Sequence, residues 1–298
     1  MGDIRTRLVC VPYMDLTTQL SGRRVLITGA ARGIGAALAQ RLHQRGARVA
    51  LIGLEAENLK SVAASCGDAP WTRCDVTDRD AVAAAVTAAV NELGGLDVVV
   101  ANAGIAAQLP LVGGDAEVMD RIVGVNLMGV YNTIWAAGAH VSHPNGYFLV
   151  VSSLGAALHL PLMGAYNATK AAVEALGNTL RIELRPSGAR VGVAYFAELD
   201  TDMTRRGFDT QAARVLPAAK WVGRSRPLEI GINALERGIA RRSRRIVAPR
   251  WMAGALPMRM AIQPIVERVT QPKLAKALAI AREERVELTT SQADEVDG

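Results

Sequence analysis

The chain has 298 residues, of which 50% are apolar and 21% are charged, and its net charge is +6. This composition excludes a disordered chain, and the modest positive charge suits anionic ligands without indicating nucleic-acid binding. The three cysteines form no CxxC pair and the four histidines show no zinc spacing, so we expect neither a disulfide framework nor a metal site. No apolar run reaches the roughly 18 residues that a membrane span needs. We therefore expect a cytoplasmic protein.

Short β-branched runs alternate with longer helical stretches between Gly22 and Phe196. The sequence predicts strands over residues 25–28, 48–53, 73–76, 96–101, 146–152 and 191–196, and helices over residues 33–44, 78–92, 116–139 and 165–185. Continuous rather than alternating apolar strands indicate burial on both faces, which is typical of a parallel sheet covered by helices. We therefore predict an α/β fold with a doubly wound, mostly parallel, Rossmann-like sheet. Ligands bind such sheets at the carboxyl ends of the strands.

The chain shows no linker and no internal repeat, which favours a single domain with extensions. We place an N-terminal extension at residues 1–21, the domain at residues 22–250 and a C-terminal extension at residues 251–298. The Arg241–Arg245 cluster precedes the apolar, proline-interrupted stretch Trp251–Val266. A solvated basic turn before a packed helix is the interpretation that we favour. Peripheral contact with an anionic membrane surface and a cover over the ligand site are the alternatives.

The first predicted strand runs into a glycine-rich turn that opens a helix. The turn reads Thr28-Gly29-Ala30-Ala31-Arg32-Gly33-Ile34-Gly35. Three glycines permit a tight turn, close backbone approach and close helix packing, and the helix N-terminus offers free N–H groups to a phosphate. The pattern alone is weak evidence. Between a strand and a helix it predicts a loop that binds the pyrophosphate of a nucleotide.

Tyr166 and Lys170 form a YxxxK pattern at the start of a predicted helix. The spacing places both side chains on one helix face. A free tyrosine has a pKa of about 10, which is too high for ready proton exchange at neutral pH. A lysine ammonium about 4 Å away would lower the pKa of Tyr166 toward neutrality. The pair is weak evidence by itself, because it also arises by chance.

The TGxxxGxG spacing of the loop, together with the YxxxK pattern, resembles the short-chain dehydrogenase/reductase family over about residues 22–203. The resemblance implies that Tyr166 is the catalytic acid/base, while Lys170 lowers its pKa and binds the nicotinamide ribose. Ser153 matches the serine that orients the substrate oxygen in this family. Asn126 matches the asparagine that completes a proton relay through water to Lys170. An exposed helix asparagine is the alternative for Asn126.

The resemblance also implies a set of cofactor contacts. These are Thr28, Gly29, Ala31, Arg32, Gly33, Ile34, Gly35, Gly53, Asp75, Val76, Asn102, Ala103, Gly104, Tyr166, Lys170 and Thr201. Asp75 would contact the adenine, and Thr201 the nicotinamide carboxamide. The chain departs from the family pattern at Ala101, which replaces the first asparagine of the NNAG motif. It departs again at Phe196-Ala197, which replaces a Pro-Gly pair and affects the local turn.

The residue after the second predicted strand bears on the form of the nicotinamide cofactor. An acidic residue there favours NAD, because it accepts hydrogen bonds from the adenosine ribose, but this chain has Gly53. A 2′-phosphate fits beside glycine without repulsion, and Arg32 can pair with it. Against this, Leu54 lies where many NADP-using relatives carry arginine, and Glu55 is an alternative ribose contact. We expect NADP(H), with NAD(H) as the alternative.

The substrate is expected to be a hydrophobic secondary alcohol or ketone, although generic pocket lining is the alternative interpretation. The apolar and neighbouring side chains that suggest it are Leu154, His159, Leu160, Leu162, Met163, Met203, Phe208, Val215, Leu216, Trp221 and Val222. The resemblance implies an NAD(P)-dependent oxidoreductase that assembles into a homodimer or homotetramer through two long helices. A catalytically silent, cofactor-binding regulatory or interaction protein of the same fold is the alternative function.

Overall fold

Helices and strands alternate along the chain in the computed structural model, which describes residues 16–208, 210–216, 225–284 and 288. In chain order the elements are α1 (Leu16–Leu20), β1 (Arg24–Thr28), α2 (Gly33–Gln44), β2 (Arg48–Gly53), α3 (Ala56–Ser65), β3 (Trp71–Arg73), α4 (Arg79–Leu93), β4 (Val98–Ala101), α5 (Ala116–Val123), α6 (Gly129–Ala137), β5 (Tyr147–Val151), α7 (Gly164–Glu183), β6 (Arg190–Phe196), α8 (Asp202–Gly207), α9 (Gln211–Val215), α10 (Leu228–Ala240), β7 (Arg245–Ala248), α11 (Arg259–Thr270) and α12 (Leu274–Glu283). A π-helical turn, Gly124–Met128, joins α5 to α6.

The strands form one parallel sheet in the order β3-β2-β1-β4-β5-β6-β7. The chain winds outward from β1 in both directions, because β1 pairs with β2 on one side and with β4 on the other. This is the doubly wound α/β fold that the sequence predicts. The strand order reverses between β1 and β4, so the carboxyl ends of these strands open a crevice for a ligand.

Alternate side chains of the strands enter two different cores, which explains the unbroken apolar runs. In β1, Leu26 belongs to one core, whereas Val25 and Ile27 belong to the other. Helices α4, α5, α6 and α7 cover the first face of the sheet, and α2, α3 and α10 cover the second. Both faces are therefore buried, as expected for parallel strands joined by crossover helices.

The helix predicted over residues 116–139 is interrupted in the structure. Helix α5 ends at Val123, and α6 begins only after the π-helical turn. A π turn holds an extra residue, and here it accompanies an Asn126 side chain that bonds to the backbone of Ile105. Asn126 is fully buried, so the alternative of an exposed helix asparagine is wrong.

Among the strands, the largest differences from the sequence predictions are at β3 and β7. β3 ends at Arg73 rather than Val76, because the Asp75 carboxylate accepts hydrogen bonds from the backbone N–H and the hydroxyl of Thr77 in a turn. The sequence analysis did not predict β7, which lies inside the basic stretch near the C-terminus. In this short strand Ile246 is buried and Arg245 is exposed. Three apolar residues between Arg245 and Pro249 give too little pattern for a strand prediction.

The Arg241–Arg245 cluster lies at the amino end of β7, away from the crevice. Arg242 donates a hydrogen bond to the carbonyl oxygen of Pro144, which precedes β5 at the same end of the sheet. The arginines themselves therefore do not cover the ligand site, whereas Met252 and Val266 of the adjoining stretch Trp251–Val266 do reach it. The residues that follow β7 are the ones that reach the carboxyl ends of the strands.

Both predicted extensions contain helices that pack on the sheet domain. Helix α1, in the N-terminal extension, buries Leu20 and contacts α10. Helices α11 and α12 lie in the C-terminal extension, and α12 packs against α9. Across the residues that the structure describes, no helix is both long enough and apolar enough to cross a membrane.

Candidate active site

A cavity lies at the carboxyl ends of the strands, over the crevice between β1 and β4. The predicted cofactor contacts that line it are Gly29, Ala31, Arg32, Gly33, Ile34, Gly53, Asp75, Val76, Asn102, Ala103, Gly104, Tyr166, Lys170 and Thr201. Ser153 also lines it. Thr28, Gly35 and Asn126 lie behind the lining, where they hold parts of it in place. The structure thus brings together residues from the loops that follow six different strands.

The loop between β1 and α2 presents bare backbone to the cavity. Gly29 and Gly33 have φ angles of +65° and +54°, which residues with a Cβ rarely adopt. A Cβ on Gly35 would lie 2.2 Å from the Gly29 carbonyl oxygen, so no larger residue fits there without moving the loop. The N-terminus of the twelve-residue helix α2 opens behind this loop. These residues therefore fit the pyrophosphate of a dinucleotide.

Thr28 and Asn102 join the glycine loop to the end of β4. The Thr28 hydroxyl accepts hydrogen bonds from the backbone N–H groups of Asn102 (3.1 Å) and Ala103 (3.3 Å). The Asn102 side-chain amide donates to the carbonyl oxygens of Thr28 (3.1 Å) and Gly29 (3.2 Å). Thr28 therefore acts on the cavity by fixing these two loops relative to each other.

Ser153, Tyr166 and Lys170 meet in the cavity beside the glycine loop. Ser153 follows β5 and begins a short 3-10 turn, where its hydroxyl accepts a hydrogen bond from the Gly155 N–H at 3.1 Å. The Ser153 side chain is close enough to the Tyr166 hydroxyl to lower its pKa. Lys170 lies one turn along α7, with its Nζ 5.5 Å from the centre of the Tyr166 ring. This geometry can hold a substrate oxygen and exchange a proton with it.

Burial shifts the pKa values of Lys170 and Tyr166 in opposite directions. It lowers the pKa of Lys170 to about 8, because the ammonium loses its hydration. Burial raises the pKa of Tyr166, and Ser153 acts against this rise without reversing it. The prediction that Lys170 brings the pKa of Tyr166 toward neutrality is therefore wrong for this structure, since desolvation of the phenolate is the larger effect. Lys170 Nζ donates instead to the Val151 carbonyl oxygen at 3.0 Å.

Asn126 lies behind Lys170 and is bonded to the main chain. Its Oδ1 accepts a hydrogen bond from the Ile105 N–H at 2.8 Å, and its Nδ2 donates to the Ile105 carbonyl oxygen at 2.9 Å and to Thr169 Oγ1 at 3.2 Å. A Cβ built on Gly104 would lie 3.2 Å from Asn126 Oδ1 and 3.4 Å from Lys170 Nζ. Asn126 and Lys170 thus face each other across Gly104. The relay through water stays a prediction.

The comparison with known proteins identifies the family. A sequence profile described as short chain dehydrogenase matches residues 23–212. The chain belongs to the short-chain dehydrogenase family. A cis-4-hydroxycyclohexanecarboxylate dehydrogenase of Sinomonas cyclohexanicum is 38% identical over 215 residues, which cover 70% of this chain and 86% of that protein. An uncharacterized oxidoreductase of Mycobacterium tuberculosis is 32% identical over 211 residues, covering 67% of this chain and 62% of that protein.

Two solved structures share the fold of this short-chain dehydrogenase. One is a short chain dehydrogenase/reductase from Burkholderia phymatum in complex with NAD, with a TM-score of 0.73 and 22% identity over 82% of this chain and 95% of that chain. The other is a 3-ketoacyl-(acyl-carrier-protein) reductase from Brucella melitensis complexed with NADH, with a TM-score of 0.67 and 29% identity over 77% of this chain and 97% of that chain.

At the adenosine end of the short-chain dehydrogenase cavity, Arg32 is paired with a carboxylate. Its Nε donates to Glu55 Oε2 at 2.7 Å, and Nη2 pairs with Glu55 Oε1. Asp202 Oδ2 lies 3.9 Å from Arg32 Nη1. Gly53 ends β2, as the sequence predicts, and carries no acidic group. The Arg32 guanidinium, which was expected to pair with a 2′-phosphate, is therefore already paired with the Glu55 carboxylate.

The turn after β6 closes although the Pro-Gly pair is replaced. The Phe196 carbonyl oxygen accepts a hydrogen bond from the Ser153 hydroxyl at 3.4 Å, and the Ala197 N–H donates to the Ala248 carbonyl oxygen at 3.0 Å. The second bond ties the turn to β7, the strand that the sequence analysis missed. Thr201 lies opposite the glycine loop, where its Cβ is 3.8 Å from the position of a Cβ on Gly33.

The substrate half of the cavity is mainly apolar. Of the side chains predicted for it, Leu154, Leu160, Met163, Met203, Phe208 and Leu216 line the cavity. His159, Leu162 and Val215 are not part of this lining, and Trp221 and Val222 lie outside the described residues. Six further residues that line the cavity were not predicted from the sequence, and these are Ile105, Gln108, Leu158, Ala213, Met252 and Val266. No motif signals the last two, which come from the C-terminal extension.

Proposed function

We propose that this short-chain dehydrogenase interconverts a secondary alcohol and a ketone by hydride transfer to or from NAD(P). The observation that carries the proposal is the meeting of Ser153, Tyr166 and Lys170 in one cavity with the glycine loop. Relatives named as dehydrogenases and reductases, among them a gluconate 5-dehydrogenase of Gluconobacter oxydans, support the same class of reaction.

Each group in the cavity has a defined task in this proposal. The nicotinamide, when bound, supplies the hydride donor or acceptor. The glycine loop and the N-terminus of α2 bind the pyrophosphate, and Thr201 binds the carboxamide end. Tyr166 donates a proton to the carbonyl oxygen in reduction and accepts it in oxidation. The Ser153 hydroxyl, which lies near Tyr166, holds the same oxygen while charge develops on it.

The pKa shifts agree with this division of tasks. A raised pKa keeps Tyr166 protonated at neutral pH, which is the form that donates to a ketone. With its pKa lowered to about 8, Lys170 is an ammonium at neutral pH and releases its proton in mildly alkaline solution. We propose that it stabilises the phenolate left by proton transfer and binds the nicotinamide ribose. Asn126, which faces Lys170 across Gly104, would hold the water that returns the proton.

Transfer of an isotopic label tests the function directly. The protein is mixed with NADH or NADPH carrying deuterium on the transferable position of C4, together with cyclic and aliphatic ketones. We expect deuterium on the carbinol carbon of at least one product alcohol. The alternative function, a cofactor-binding regulatory or interaction protein without turnover, predicts cofactor binding with no label transferred to any ketone.

The Arg32–Glu55 pair leads us to propose NAD(H) as the cofactor, in place of the NADP(H) that the sequence alone favours. A 2′-phosphate would have to displace Glu55 from Arg32 and then lie near its carboxylate, whereas a ribose hydroxyl can donate to Glu55. Glu55→Gln is expected to shift the ratio of kcat/KM for NADH to that for NADPH toward NADPH by about tenfold. Glu57→Gln, at an exposed position of α3, is the control. A wild-type preference for NADPH that Glu55→Gln leaves unchanged would contradict the proposal.

We propose an uncharged, hydrophobic ring alcohol or ketone as the substrate. The charged residues among the described lining are Arg32, Glu55, Asp75, Lys170, Glu198 and Asp202. All of them lie at the cofactor side or in the catalytic group. The Sinomonas relative is named for a cyclohexane substrate with a carboxylate, but the described substrate half offers no lysine or arginine to bind that carboxylate. We therefore expect cyclohexanone to be reduced with a higher kcat/KM than 4-oxocyclohexanecarboxylate, and the reverse order would contradict the proposal.

We propose that the protein assembles into a homodimer or homotetramer through α6 and α7. Tyr131 and Trp135 on α6 are 38% and 54% exposed, and Ile182 on α7 is also exposed. Large apolar side chains that lie on two long helices suit a contact between copies. Light scattering coupled to gel filtration is expected to show an oligomer that Trp135→Glu weakens. A wild-type monomer would contradict this assembly. The cytoplasmic location stays a prediction from cysteine usage.

A further inference from the structure

We propose that residues 250–284, here called the C-terminal segment, close the substrate half of the cavity and set the size of substrate that fits. Met252 and Val266 are the specificity-determining side chains, because both line the cavity. The inference rests on the proposed function. The segment lies beyond residues 23–212, the part of the chain that matches the family profile.

The first anchor of the C-terminal segment is on the catalytic helix. Arg259 donates two hydrogen bonds to the Glu174 carboxylate, at 2.8 and 3.2 Å. Glu174 is buried on α7. It follows Lys170 by four residues, and Lys170 follows Tyr166 by four residues. The three side chains therefore lie along one face of the helix. A bidentate pair between arginine and a carboxylate fixes orientation as well as distance. The segment is therefore positioned relative to Tyr166.

The second anchor is on the loop that follows Ser153. The His159 N–H donates a hydrogen bond to Gln263 Oε1 at 3.0 Å, and Gln263 Nε2 donates to the His159 carbonyl oxygen at 3.3 Å. Val266 lies about one turn further along α11 than Gln263, which places both on similar sides of the helix. The neighbours of His159, Leu158 and Leu160, line the cavity together with Val266.

The third anchor is on α9, in the segment that follows Thr201. The Glu284 carboxylate accepts hydrogen bonds from the backbone N–H groups of Gln211 (2.9 Å) and Ala212 (3.2 Å). An apolar cluster also joins α12 to α9 and to the loop before α7. Its buried members are Leu162, Ala212, Leu216, Ala277 and Ala281. Leu216 also lines the cavity. The C-terminal segment therefore packs against Leu216, which forms part of the cavity wall.

These anchors make the C-terminal segment a fixed wall rather than a surface appendage. The three anchors contact three separate elements, which are the catalytic helix α7, the loop after Ser153, and α9. In this inference, a small ring held at Tyr166 does not need to reach Met252 and Val266. A larger apolar ring system extends further, and its fit then depends on Met252 and Val266. The substrate class expected from this geometry is an extended, uncharged alicyclic alcohol or ketone.

Variants at the two side chains test the inference. The measured quantity is the ratio of kcat/KM for 1-decalone, a fused two-ring ketone, to that for cyclohexanone. Val266→Phe adds volume to the wall and is expected to lower this ratio about tenfold, while Met252→Ala is expected to raise it by several-fold. Val269→Phe introduces the same side chain at an exposed position of the same helix and serves as the matched control, with the wild-type ratio expected.

The outcomes separate this inference from the proposed function. If the wild-type protein reduces both ketones and the ratio is the same in Val266→Phe and Met252→Ala, the C-terminal segment does not set substrate size. If the wild-type protein reduces neither ketone nor any other in the panel, the proposed function fails and the inference fails with it. Affinity for NADH, measured for each variant, shows that it is folded. Should Val266→Phe not fold, Val266→Ala replaces it, with a raised ratio expected.

Discussion

Lys170 destabilises the fold in its protonated form, because its side chain is buried and its pKa falls from 10.5 to about 8. The folded protein binds this proton less tightly than the unfolded chain does. The destabilisation is therefore fully present below about pH 8 and disappears as the pH rises to about 10.5. From the two pKa values, it amounts to about 3 kcal/mol at about pH 7 and about 1 kcal/mol at about pH 10.

Lys170→Met removes this titration while keeping a similar side-chain volume. The free energy of unfolding of the variant minus that of the wild type should fall by about 2 kcal/mol between about pH 7 and pH 10. Loss of the hydrogen bond to the Val151 carbonyl oxygen adds an offset that does not depend on pH. The raised pKa of Tyr166 keeps its hydroxyl protonated in the fold of both proteins over this range, so a folded phenolate does not contribute to the difference.

Urea unfolding followed by circular dichroism, at one protein concentration and without cofactor, measures this difference. Lys60→Met, at an exposed position of α3, is the matched control and should follow the wild type at every pH. A difference between Lys170→Met and the wild type that stays constant to within about 0.5 kcal/mol over this range would refute the account of Lys170 as a buried, destabilised ammonium.

Two further predictions concern the supports of the cavity. Gly35→Ala places a Cβ 2.2 Å from the Gly29 carbonyl oxygen, so calorimetry should show NADH affinity reduced by about tenfold or more, whereas Gly254→Ala, with no atom within 4 Å, should bind normally. Equal affinity of the two variants would contradict the role of the loop. Asn126→Ala leaves the buried N–H and C=O groups of Ile105 without side-chain partners, and urea unfolding should show a loss of about 2–4 kcal/mol. A loss below about 1 kcal/mol would show that water replaces the amide.

The fold, and the position of Tyr166 beside Lys170 in the cavity, could be predicted from the sequence because their signals are local. β2 and α2 have the predicted bounds, since unbroken apolar runs and a helical period appear within a few residues of each other. The same holds for the spacing that brings Tyr166 next to Lys170 on α7. These features depend on neighbours along the chain, which a sequence shows directly.

The features that the sequence could not provide depend on contacts between distant residues. Glu55 pairs with Arg32 across the end of β2, and this pairing changes the expected cofactor. The raised pKa of Tyr166 follows from burial by several elements, so a calculation from the YxxxK spacing alone gave the wrong direction. Met252 and Val266 reach the cavity only because the C-terminal segment folds back over it.

The central claim is that Tyr166 exchanges a proton with the substrate oxygen while Ser153 holds that oxygen beside the cofactor. Steady-state kinetics of Tyr166→Phe with NADH and cyclohexanone test this claim most directly, with the dissociation constant for NADH measured alongside. The account predicts a fall in kcat/KM of about 100-fold or more with little change in NADH affinity, because only the phenolic hydroxyl is removed. A variant that retains kcat/KM to within about threefold of the wild type would contradict it.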